Sequence, residues 1–409
     1  MSDNAKLNRL ADLVIASKMN RREFLRAAML LGVSGAAASS FLAACAPAPT
    51  PAPTAAPPTA APKPTDAPKP TDIPKPTTAP TAAPTVAPTA APLVKVRVGW
   101  AIAPHMALQA VALKKGWFKE VGLDVELTAF DSGAPLYEAM AANKIDLSHT
   151  GSTPPITNQA AGSVPNYFIG SHGDATEIFY ILARKSINSP ADLKGKTGIT
   201  AKGSVNHFFL GLMLEKYGLT EKDITLVHMD YADHVTAFVG GQGDFISTGT
   251  AFWPQILTKS GEVKILFKGP DLAQPPGKQM KDRMFETTAV KKDFADKNPD
   301  AVTKYVDVLF NRTHAYFNDS ATKTQAHQEL LDWLKANVNY NASLKDLSDL
   351  LNQVKYYSCA EQAKFFQDGT FKASEESQIK YLVDTARIKA GFPFDGWGNP
   401  KFVEAAAKK

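Results

Sequence analysis

Cysteine is nearly absent from this sequence. Past residue 45 the chain carries one, Cys359, so its body can form neither an internal disulfide nor a cysteine metal cluster. Cys359 reads as a buried small hydrophobe. Long apolar runs are missing beyond residue 92, which excludes a membrane-spanning domain there. The net charge is a modest +5. No basic patch with interleaved aromatics stands out, which argues against nucleic acid as a partner. The histidines lack the i, i+4 spacing of a helical metal pair, and no Ser-His-Asp constellation can be located. We therefore expect no catalytic residue, no metal site and no cofactor, and a protein that is not an enzyme.

What is present begins with an export signal. Asn20-Arg21-Arg22-Glu23-Phe24-Leu25-Arg26 is a paired-arginine run. It is followed by a short apolar stretch, Ala27 to Ala44, broken by Gly32 and Gly35. Charge followed by a moderately apolar segment is a secretory layout, and twin arginines specify the Tat route. Leu42-Ala43-Ala44-Cys45 resembles the bacterial lipoprotein processing box. That resemblance implies lipidation at Cys45, a membrane anchor through the lipid, and a position at the outer face of the cytoplasmic membrane. Residues 46–92 hold 16 of the 29 prolines in Ala-Pro-Thr and Lys-Pro-Thr patterns, with large apolar side chains nearly absent. Such a segment cannot repay the entropy of folding and reads as an extended, disordered tether, with a reach on the order of 100 Å.

The 317 residues from Leu93 to Lys409 suffice for two lobes. Val94 to Trp100 alternates and is β-branched, hence a strand. A helix over Ala107–Phe118, a strand over Leu123–Phe130, a helix over Ala134–Asn143 and a strand over Ile145–His149 follow. Gly151-Ser152-Thr153-Pro154-Pro155 then opens another helix. The pattern restarts after Ser189 with strands over 197–200, 224–228 and 245–248, and helices over 205–217 and 234–240. Phe285 to Val290 reads as a strand returning to the first lobe, and the tail from Asn298 is mostly helical. Alternating strands and helices imply βαβ units and a parallel sheet. The expected fold class is α/β, with two lobes, a double crossover and a helical C-terminal tail. Lobe 1 would comprise 93–183 and 285–409, and lobe 2 would comprise 184–284.

Two turns suit an anion. In Gly151-Ser152-Thr153-Pro154-Pro155, glycine admits close approach, Ser or Thr can cap, and proline fits a first helical turn. In Lys202-Gly203-Ser204-Val205-Asn206-His207, a strand again delivers a Gly-Ser turn into a helix start. Helix starts offer N–H groups and a positive dipole end. Each turn alone is better explained by ordinary capping, and only the pair, one in each lobe, weighs an anion cleft evenly with capping.

These residues resemble a family. Leu123 to Phe130 with Asp131-Ser132-Gly133-Ala134, Ile145-Asp146, and Thr150 to Pro155 look like the aliphatic-sulfonate- and taurine-binding proteins of bacterial ABC importers. So do Ala160-Ala161-Gly162, Asp192 to Lys196, Lys202-Gly203-Ser204 with His207, and Lys292-Asp293-Phe294-Ala295 with Asn298-Pro299. The resemblance covers about residues 94–315. It implies a periplasmic-binding-protein fold of the second type, a monomer that closes over a small organic anion and delivers it to a permease and its ATPase. It places Gly151, Ser152 and Thr153 at one side of the ligand and Ser204, Asn206 and His207 at the other. Ala103, His105 and Ser132 join the first side. Thr248, Thr250, Phe252 and Trp253 line the cleft after the strand at Phe245. The segment Ser247 to Trp253 departs from the family pattern. The same superfamily holds nitrate, bicarbonate, riboflavin and thiamine-precursor binders, and an enzyme acting on a heterocycle whose cysteine-rich motif is absent here.

Overall fold

A computed structural model describes residues 92–229, 231–249, 262–278 and 283–409. The signal, most of the tether, Cys45, Thr250, Phe252 and Trp253 lie outside the described residues. Among the described residues no helix is long and apolar enough to cross a membrane.

Ten strands form two five-stranded sheets among the described residues. The first has the order β2 (Leu123–Phe130), β1 (Val94–Ala101), β3 (Leu147–Gly151), β10 (Phe285–Lys291), β4 (Asn166–Asp174). The second has β7 (Thr225–His228), β6 (Thr197–Thr200), β8 (Phe245–Gly249), β5 (Phe179–Arg184), β9 (Val263–Lys268). The two orders are the same pattern. In each, three parallel strands precede one antiparallel strand, β10 or β5. That strand is the one the chain makes on arriving from the other sheet. The sheets are therefore mixed, where the βαβ alternation alone led us to expect parallel ones. A strand that enters after a crossover returns against its neighbours, and local pattern carries no trace of that.

The helices are α1 (Gln109–Lys114), α2 (Trp117–Glu120), α3 (Gly133–Ala141), α4 (Thr153–Ala161), α5 (Val205–Lys216), α6 (Tyr231–Val239), α7 (Lys292–Lys297), α8 (Pro299–Val306), α9 (His314–Asn318), α10 (Lys323–Val338), α11 (Leu344–Leu351), α12 (Cys359–Gln367), α13 (Thr370–Asp384) and α14 (Lys401–Ala406). The single helix expected over Ala107–Phe118 is two pieces. Gly116, at φ +77°, adopts the left-handed conformation that ends a helix.

Two crossovers join the sheets, β4 to β5 through Ala175–Ile178 and β9 to β10 through Gly269–Met284. They are tied to each other. Ala175 N donates to Met284 O at 2.9 Å, and Met284 N donates to Thr176 Oγ1 at 3.0 Å. A Cβ at Gly269 would stand 1.8 Å from Thr176 O, so only glycine lets the two segments touch. The changeover thus precedes Phe179. The strand Phe179–Arg184, which the sequence boundary at 183 gives to lobe 1, pairs with β8 and β9 in the second sheet. β9 itself is a strand the sequence reading leaves unassigned.

The tail covers the first sheet. Val302, Tyr305, Val306, Leu309 and Phe310 pack on Val96, Val98 and Leu147, with Phe402 and Val403 of α14. Each such side chain removed from water contributes about 1.5–3 kcal/mol before entropy is counted. Cys359 is fully buried in this cluster, and burial pushes its thiol up to about 12, consistent with a packing role.

Candidate functional site

A cavity of about 470 Å³ opens at the carboxyl ends of β1, β3, β6 and β8, where the turns between strand and helix converge. Ligands in open α/β sheets sit in this position. One wall comes from the first sheet and includes Ala103, His105, Asp131, Ser132, Gly151, Thr153 and Glu286. The other comes from the second and includes Lys202, Ser204, Val205, Asn206, His228 and Gly249, with Arg387 of the tail. The walls approach closely: a Cβ at Gly151 would lie 3.0 Å from Val205 Cβ.

The two helix starts differ. At α5, Ser204 is extended, and its Oγ accepts from His207 N at 3.3 Å while donating to Ala201 O at 2.7 Å. This is a true N-cap. At α4, Ser152 is helical in backbone and makes no cap. Its hydroxyl points back into the lobe, 3.1 Å from Phe285 O, 2.7 Å from Thr287 Oγ1 and 3.0 Å from Glu375 Oε1. A serine hydroxyl offers one hydrogen and two lone pairs. The Phe285 carbonyl can only accept, so all three contacts are hydrogen bonds at once only if Glu375 keeps its proton. Burial raises the Glu375 carboxyl to about 8; the Ser152 hydroxyl opposes the rise when it is the donor, and the charge on Glu286 adds to it. Pro154 and Pro155 further strip two N–H groups from the first turn of α4. Prolines cost that helix little, but they remove donors an anion would need.

The sequence-derived residues divide accordingly. Ala103, His105, Ser132, Gly151, Thr153, Ser204 and Asn206 line the cavity. Ser152, His207 and Thr248 are buried and are not among the lining residues. Thr153 Oγ1 accepts from Gln378 Nε2. His207 sits behind the second wall. Gly203 N donates to its Nδ1 at 3.2 Å, and its Nε2 lies 3.0 Å from Glu221 Oε1. Burial works against the Glu221 carboxylate, but hydrogen bonds from His207 and Tyr381, with the Arg387 charge, hold it down near 2.

Two residues that sequence reasoning missed, Arg387 and Glu286, add charge to the cavity beside Asp131 and Lys202. Arg387 Nη2 rests 2.9 Å from both ring nitrogens of His207, its guanidinium lies over the Tyr381 ring, and Nη1 is buried without a hydrogen-bond partner. Glu286 is buried on β10. Its Oε1 is 3.4 Å from His105 Nε2, and its Oε2 has no partner. A glutamate inside the otherwise apolar and hydroxyl run Phe285-Glu286-Thr287-Thr288-Ala289-Val290 was the available signal, since buried strands rarely hold a charge. Arg387 had none, because nothing local sets its place.

Helix α13 connects the two walls. Glu375 meets Ser152, Gln378 meets Thr153, and the Tyr381 hydroxyl donates to Glu221 Oε1 at 2.5 Å with His207 O 3.2 Å away. One helical stripe thus rests on both helix starts and delivers Arg387 beyond its end.

The profile of the NMT1/THI5-like family matches residues 103–319, just over half of the chain. A putative aliphatic sulfonates-binding protein of Bacillus subtilis is 28% identical over 307 residues, spanning 73% of this chain and 88% of that protein. Among solved structures, the alkanesulfonate-binding protein SsuA from Xanthomonas axonopodis pv. citri, bound to MOPS, superposes with a TM-score of 0.56 at 20% identity, covering 78% of this chain and 99% of that one. The periplasmic nitrate-binding protein NrtA from Synechocystis PCC 6803 superposes at 0.62 with 13% identity, covering 77% and 89%. At these identities the structural likeness speaks to the fold, a two-lobed periplasmic-binding-protein architecture.

Proposed function

The chain belongs to the NMT1/THI5-like family, and from that premise we propose that it is an extracytoplasmic solute-binding protein of an ABC importer. It captures a small organic anion, a sulfonate such as taurine or an alkanesulfonate, and presents it to a membrane permease. The observation that carries this reading is the buried, unpartnered Nη1 of Arg387 at a cavity that also holds the capped start of α5. A guanidinium with a free donor beside a helix start is suited to a planar or tetrahedral oxyanion. The volume lies in the usual range of small-ligand sites, ~300–1,000 Å³. Closure of one lobe on the other would be the signal a permease reads. We assign no catalytic residue. Ser204 is occupied as a cap, and among the described residues no cysteine lines the cavity.

Calorimetric titration against alkanesulfonates, taurine, nitrate, bicarbonate, pyrimidines and flavins tests the reading. Micromolar or tighter binding of a sulfonate is expected. Silence with every sulfonate, together with binding of a neutral heterocycle, would replace it.

The N-terminal segments complete the proposal. A lipid on Cys45 and a tether of roughly 100 Å reach would hold the domain near its permease and raise its effective concentration there. Mass spectrometry of the mature N-terminus tests this. An unmodified Cys45 in membrane fractions would rule it out.

A further inference from the structure

The cavity is polarised. On the first wall the charged groups are acidic, Glu286 within and Asp131 at the rim; on the second they are basic, Arg387 and Lys202, with His228 beside them. A cavity for a simple anion has no use for a buried carboxylate. Glu286 would repel the ligand, and leaving one of its oxygens buried without a partner costs free energy in any empty state.

The groups facing Glu286 do not account for it. His105 reaches only Oε1, at 3.4 Å, and leaves Oε2 without a partner. Glu375 is a second acid. Burial raises its carboxyl to about 8, and it supplies no positive charge to pair with Glu286. Among the described residues no group of three or more His, Cys, Asp or Glu could hold a metal ion, which disfavours a resident cation as the partner. The free oxygen of Glu286 belongs to a residue only 1% exposed that lines the cavity.

We propose that Glu286 is the receptor for a protonated nitrogen on the ligand, so that the cleft selects zwitterions, with the acidic group held by Arg387 at the α5 start and the ammonium by Glu286. The ligand class is then an amino-alkane acid in which the two charges are separated by a short chain. This deepens the anion reading above and rests on it. Glu286 acts as a filter within that reading. It discriminates against ligands that leave its carboxylate buried and unpaired, the penalty that makes polar recognition selective.

The test is calorimetry on the full-length protein with matched pairs: 2-aminoethanesulfonate against ethanesulfonate, and 3-aminopropanoate against propanoate. The aminated member should bind at least about tenfold tighter in at least one series, equivalent to ~1.4 kcal/mol. Glu286→Gln should bring the ratio near one, chiefly by weakening the aminated ligand. Equal affinities within both pairs would overturn the proposal without needing any variant to fold. So would a ratio that survives in a folded Glu286→Gln protein, which would leave His105 as the sufficient partner of the carboxylate. Repeating the ethanesulfonate titration with calcium or magnesium separates the other source of positive charge. Recovery of tight binding by either ion would overturn the ammonium assignment. A tenfold preference confined to the carboxylate pair, with both sulfonates silent, would support Glu286 as receptor and remove the sulfonate reading alone.

Discussion

The starts of α4 and α5 look interchangeable as sequence, each a glycine and a serine leading from a strand into a helix. In the folded protein they are opposites. The α5 start is capped by its own serine and stands beside a guanidinium. The α4 start has turned its serine inward to the buried Glu375 carboxyl, has lost two donors to proline, and faces the cavity beside Glu286. A helix start suits an anion best where its N–H groups exist and no acid stands beside them. The α4 start has lost two N–H groups to proline and has Glu286 beside it, while the α5 start gives one N–H, that of His207, to its cap and has Arg387 beside it.

The contrast breaks most sharply at Arg387. Arg387→Ala should weaken anion binding on the order of 100-fold, since truncating one partner of a buried charged contact costs about 2–5 kcal/mol. Arg387→Lys should recover only part, lacking the planar fork. Calorimetry on both variants checks this, and an anion affinity unchanged in Arg387→Ala would return the site to the α4 side. Next in size is Ser152→Ala. It should lower stability by about 1–3 kcal/mol by stranding Glu375 and Thr287, while leaving ligand affinity within a few-fold. Equal losses of affinity at Ser152 and Ser204 would make the two starts equivalent after all.

The proton on Glu375 gives the third prediction. Its folded value, about 8, lies above the ordinary 4.5. Its contribution to stability is therefore fully present below pH 4.5 and is lost as pH rises towards 8. Glu375→Gln removes that titration. The stability of wild type relative to the variant should fall across this window by up to about 1.4 kcal/mol per pH unit. Denaturant melts at pH 5, 6, 7 and 8 measure it, and a flat difference would mean Glu375 is charged in the fold. Smallest is Ser204→Ala. Loss of the cap should cost about 1 kcal/mol in a thermal melt.

Much of the fold was legible. Strand–turn–helix alternation, the restart after Ser189 and the helical tail all follow from period and punctuation, and the observed elements agree to within a few residues. Mixed sheets were not legible, because strand direction depends on which lobe the chain has just left. At the site, the lining turns at Ala103, Ser132, Gly151 and Ser204 were readable because short loops at strand ends leave few places to go. Whether Ser152 and His207 look into the cavity or away from it was not. One side-chain rotation decides that, and the partners that set the rotation, Glu375 for Ser152 and Glu221 with Arg387 for His207, come from distant segments.

The sequence by itself therefore determined what short-range chemistry can determine: a twin-arginine segment, a proline-rich stretch with few large apolar side chains, and two α/β units with glycine turns at their strand ends. Tertiary structure alone decided the charge of the cleft. Arg387 meets His207 across 180 residues and Glu286 meets His105 across 181. Such pairings are set by how α13 lies over both lobes and how β10 returns through the crossover. Those placements arise from packing of the whole core, and no window of sequence contains them.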